Sequence, residues 1–125
     1  MVLNYQVAWL AIFVGVLSGT LIGVFFYDPQ WLGGYGSWRR RMIRLGHIAF
    51  LGTGLLNLGF AVTVEGLKIS PAPQVASLLL VAGVVTMPGV CFLSAWRDGF
   101  RFWFFVPVVC LVGAAGEMAY RGLFA

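Results

Sequence analysis

The charged residues of this chain are segregated, and that segregation constrains it more than any motif does. Of its 8 basic and 4 acidic residues, only Glu117 falls within four continuous apolar runs, 6–27, 45–64, 75–96 and 102–120. Each run is about 20 residues, the length a helix rising ~1.5 Å per residue needs to cross ~30 Å of hydrocarbon. The runs lack period-two alternation, and four strands cannot close a barrel in lipid, so helices are expected. The composition agrees: 61% hydrophobic and 10% charged, against about 45–50% and about 25% in soluble domains. The expectation is an all-α integral membrane protein, a single four-helix bundle running up-down-up-down, with an interfacial basic loop over 28–44.

The basic residues also predict orientation. Arg39, Arg40, Arg41, Arg44, Arg97 and Arg101 lie in loop 28–44 and loop 97–101, whereas Lys68 and Arg121 lie on the opposite side. By the positive-inside rule the arginine-bearing loops face the cytoplasm and both termini lie on the non-cytoplasmic side of a cell inner membrane. Net charge +4 is therefore read as a topological signal, and nucleic acid is not an expected partner. The first run has no basic start and no small-residue cleavage site, so it reads as a retained span rather than a removed signal. Tyr5, Tyr27, Trp31, Trp38, Trp96, Trp103 and Tyr120 cluster at run ends, where amphipathic rings favour the interface.

Inside lipid, helices associate through small residues and polar contacts. Gly15, Gly19 and Gly23 recur at four-residue spacing in the first span, a flat stripe suited to a neighbouring helix, a second copy or another subunit. Asn57 is the most polar residue near mid-membrane; it is expected to bond across to a neighbouring helix, the other reading being a substrate or ion path shared with Thr53 and Thr86. Pro88 and Pro107 fall inside spans three and four and are expected to bend both. Cys91 and Cys110, at different depths, are read as unpaired small hydrophobes.

One constellation has a chemical reading. Ser37 is a candidate N-cap for a helix over about 38–64. On that helix Arg40, Arg44, His47, Leu51 and Gly54 share one face. Two guanidinium groups at the surface, an imidazole just inside and a glycine beyond suit a b-type haem, with His47 as the metal ligand, Arg40 and Arg44 on the propionates and Gly54 giving room for the ring. They equally suit a quinone or lipid head group. The competing reading makes the arginines lipid contacts and His47 an interfacial hydrogen-bonding group. His47 is the sole histidine, so two histidines of one chain cannot ligate an iron. Met87 is the methionine that approaches its level.

Glu117 and Arg121 are spaced to pair on one helix. Hydrolytic or transfer chemistry needs a nucleophile with an orienting base or a metal site, and neither pattern is present, so a self-contained enzyme is not expected. The four-span plan is that of small multidrug transporters, but the first span has no glutamate. Gly52-Thr53-Gly54-Leu55-Leu56-Asn57-Leu58-Gly59 resembles the Asn-bearing helix of small fluoride channels; the third span, Thr86-Met87-Pro88-Gly89-Val90-Cys91-Phe92, departs from that family, and no residue role is carried over. The expected function is a non-catalytic subunit docking on a larger membrane complex of the electron-transfer kind, respiratory or photosynthetic. The alternatives are a haem b- or quinone-binding protein using His47 and a small oligomeric channel or transporter with Asn57 in its path. Membrane lipid and either other subunits or a second copy are the expected partners.

Overall fold

The computed structural model describes residues 2–124. Among them are four long helices, α1 (Val2–Phe26), α2 (Trp38–Gly66), α3 (Gln74–Trp96) and α4 (Phe105–Phe124), and no strand. By length and apolar composition these helices can cross a membrane, which makes the chain a multi-pass membrane protein. Short 3₁₀ turns, Trp31–Gly33 and Asp98–Trp103, occupy the first and third connections.

The helix starts follow from local chemistry. Ser37 caps α2 as its spacing predicts, its Oγ accepting from Arg40 N at 3.2 Å and donating to Leu32 O at 2.7 Å. Leu32 (φ 54), Gly33 (φ 89) and Gly34 (φ 99) turn the chain into that cap; two of the three left-handed positions are glycine, which pays no Cβ penalty there.

Two proline expectations separate. Pro88 sits within α3, where its missing N–H leaves the Val84 carbonyl without its helical donor. Pro107 does not interrupt a helix. Residues 98–103 form the 3₁₀ turn, so α4 starts at Phe105 and Pro107 falls in its first turn, where backbone N–H groups have no intrahelical acceptor anyway.

α2 packs on both α1 and α3, while α4 packs principally on α3. The apolar core, Phe60, Val64, Ala76, Leu80 and Ala114, joins α2, α3 and α4 near the end where α3 begins. Close approach relies on missing side chains: a Cβ on Gly46 would come within 2.9 Å of the Phe92 ring, and one on Gly83 within 2.5 Å of Leu111. Cys91 is buried, Cys110 partly so, and both thiols are free.

Candidate functional site

The residues predicted to form a cofactor face lie on one face of α2, and that face is the seat of α1. A Cβ on Gly54 would meet Ala8 O at 3.1 Å and Ala11 Cβ at 3.2 Å, so this glycine admits the backbone of α1. Leu51 fills the space over Gly15, where a Cβ would lie 2.8 Å from Leu51 Cδ2. The His47 ring rests on Gly19, whose Cβ would fall 2.8 Å from both ring nitrogens. The stripe on α1 and the ladder on α2 are thus two halves of one interface. Gly23, the third member of the stripe, is outside it, since a Cβ there meets nothing within 4 Å.

His47 Nδ1 lies 2.6 Å from Gly15 O. A carbonyl oxygen only accepts, so Nδ1 carries the proton, and in the neutral ring Nε2 carries the lone pair. No hydrogen bond to Nε2 is present among the described residues. Nor do any three His, Cys, Asp or Glu side chains converge on a common point there.

Arg40 is 2% exposed. Its Nη1 donates to Asp28 O at 2.7 Å and to Trp31 O at 3.4 Å, and its Nη2 donates to Phe26 O. The guanidinium carbon lies 3.9 Å from the Tyr35 ring centre and 4.3 Å from that of Phe26. α1 has no basic residue in its last turn; Arg40 supplies from α2 the cation that the carbonyl end of a helix favours, and aromatic faces complete its enclosure. Its two terminal nitrogens are therefore engaged by the last carbonyl of α1 and by the connection that follows it, rather than turned outward toward propionates. Arg44 differs: it is exposed and has no protein partner among the described residues.

Asn57 bonds across helices as expected, within a larger network. Its Nδ2 donates to Leu80 O on α3 at 3.1 Å and to Thr53 O at 3.0 Å, and its Oδ1 accepts from Asn4 Nδ2 at 2.8 Å. Ser77 Oγ donates to Asn4 Oδ1 at 2.5 Å. Asn4 and Asn57 are both 0% exposed. This knot ties α1, α2 and α3 and satisfies the amide groups of both asparagines. Asn4 and Ser77 escaped the sequence reading because they lie near helix ends, where a polar residue looks like an interfacial one. Their signal was pairing: two asparagines in a chain this apolar have few partners but each other. Thr53 donates to Ala49 O at 2.6 Å and Thr86 to Ala82 O at 2.7 Å, both within their own helices.

Two apolar grooves flank α4. Between α2 and α4 a cavity of about 370 Å³ is lined by Leu55, Leu56, Phe60, Leu111, Ala115 and Met118. It meets, at Thr63 and Met118, a second cavity that reaches Arg121. Arg121 Nη2 is 3.1 Å from Glu117 Oε1, and its Nη1 donates to Pro71 O at 3.3 Å. On the other side of α4, a cavity of about 450 Å³ lies against α3. Asn57 and Thr53 line neither side. No known protein family, characterised protein or solved structure matches the chain.

Proposed function

We propose that this chain is a small non-catalytic integral membrane subunit, one four-span unit that docks on a larger membrane assembly of the electron-transfer kind. The observation that carries this reading is the open, apolar cleft between α2 and α4, about 370 Å³ in volume, left because α4 leans on α3. Its walls offer small and branched side chains, the surface that another membrane helix packs against. The intramembrane amides and Arg40 are engaged in holding the bundle together, which also favours a scaffolding role. An up-down-up-down course in the inner membrane, with both termini outside, is supported by the contact of the start of α2 with the end of α3, Trp38 Nε1 donating to Ser94 O at 2.9 Å, and by the arginines gathered there.

Mild-detergent purification from native membranes tests this. We expect the chain to co-purify in a complex larger than itself, with a photo-reactive residue at position 56 cross-linking to a membrane polypeptide. A homogeneous monomer or homodimer that cross-links only to itself overturns the proposal. An assembly without redox cofactors refutes its electron-transfer part.

A second reading has its own support. The Nδ1–H···O=C bond of His47 fixes the ring and leaves Nε2 as the lone-pair atom, the arrangement by which second-shell carbonyls orient ligating histidines. In this reading His47 ligates a haem b or accepts a hydrogen bond from a quinol, with Arg44 at the surface. An absorption band of haem that disappears in His47→Ala, or a bound quinone lost in the same variant, supports it; absence of both from gently purified protein refutes it.

A further inference from the structure

The groove on the α3 side of α4 differs in kind from the cleft between α2 and α4. Val85, Gly89 and Leu93 line it at four-residue spacing along α3, and Phe100, Trp103 and Val106 form the opposite wall. Arg97, four residues beyond Leu93, lines a smaller cavity that shares Phe100 and Trp103 with the first. From Val85 to Arg97 the floor therefore runs about 18 Å at ~1.5 Å per residue. Half of a ~30 Å hydrocarbon core is about 15 Å, so the groove has the depth of one leaflet. A Cβ on Gly89 would meet nothing within 4 Å, so this glycine is a notch open to the groove.

The mouth is basic. Arg97 is exposed, stacks its guanidinium 4.7 Å from the Trp96 ring, and has no carboxylate within ion-pairing distance among the described residues. The same end, where α2 begins and α3 ends, carries exposed Arg39, Arg41, Arg44 and Arg101, with Asp28 and Asp98 as its acidic groups. The cleft between α2 and α4 instead ends at Arg121, which Glu117 neutralises. A free cation over an apolar trough one leaflet deep complements an anion that carries a hydrocarbon tail, and Trp103 stands where indoles meet ester groups.

We infer that this groove is a binding site for an anionic phospholipid, with one acyl chain along Val85, Gly89 and Leu93 and the phosphate on Arg97. The full chain is reconstituted in phosphatidylcholine bilayers with and without phosphatidylglycerol, and lipid retained on the released protein is counted by native mass spectrometry. Phosphatidylglycerol is retained in preference to phosphatidylcholine. Arg97→Gln lowers that preference about fivefold, the share of one arginine at an anionic surface, while Arg39→Gln, at the same end but lining neither cavity, leaves it unchanged. Gly89→Leu fills the notch and lowers retention of both lipids. In an independent readout, brominated phosphatidylglycerol quenches tryptophan fluorescence more than brominated phosphatidylcholine, and the difference is lost in Trp103→Phe. Equal losses in Arg97→Gln and Arg39→Gln, or undiminished retention and quenching in Gly89→Leu, overturn the site. So does a photo-reactive residue at position 89 that captures a polypeptide rather than phospholipid in native membranes.

Discussion

At the scale of single residues, the buried side chains of Arg40, Asn4, Asn57 and Ser77 bond to other segments of the chain, and each makes a measurable claim. Arg40 holds three carbonyls, that of Phe26 at the end of α1 and those of Asp28 and Trp31 in the connection after it. Arg40→Leu orphans them, and a loss of about 2 kcal/mol is expected in denaturant titrations in detergent. Arg40→Lys recovers only part of it, because an ammonium cannot reproduce a planar fork lying between aromatic faces. The asparagine pair behaves as a unit. Asn57→Leu is expected to cost about 1–2 kcal/mol by taking from Asn4 Nδ2 its 2.8 Å acceptor, and Asn4→Leu added to it costs less than it does alone. Additive losses in that double-mutant cycle would mean that the 2.8 Å contact contributes nothing.

At the scale of elements, the interfaces are written in glycine. Gly19→Ala is expected to lower thermal stability, since the new Cβ strikes the His47 ring, whereas Gly23→Ala, one turn on and facing open space, leaves melting unchanged. Paired melting curves check the contrast, and an equal loss in both would put the interface elsewhere. The helices themselves were legible because charge exclusion and length act on each segment alone. The shared face of Arg40, His47 and Gly54 was legible for the same reason, since helical periodicity depends only on spacing. What covers that face was not: spacing states which residues align, and the covering body belongs to a different segment. Complementarity of the Gly15–Gly19 step with the His47–Leu51 step at matching depth held the answer. The start of α4 was misplaced because Phe102 and Trp103 are as apolar as a span, while the backbone there takes a 3₁₀ turn.

At the scale of the whole molecule, the knot of Asn4, Asn57 and Ser77 makes α1, α2 and α3 one body, and α4 hangs on α3 through contacts such as Gly83 with Leu111. Amide hydrogen exchange in bilayers is expected to reach α4 before the middles of the other helices. Gly83→Leu should widen that gap while leaving α1 and α2 protected. Protection of α4 equal to that of α2 would show the fourth helix to be part of the same cooperative unit. The grip of Arg40 on the end of α1 and the connection after it also has a bearing on synthesis. Its partners lie within 14 residues upstream of it, so the latch can close as soon as α2 leaves the ribosome, with no help from α3 or α4. The nascent chain then enters the bilayer as a finished hairpin whose connecting loop is a closed ring. Insertions in that ring prise the latch apart, and the segment between α2 and α3, which holds no such buried guanidinium, is the place where added sequence is tolerated.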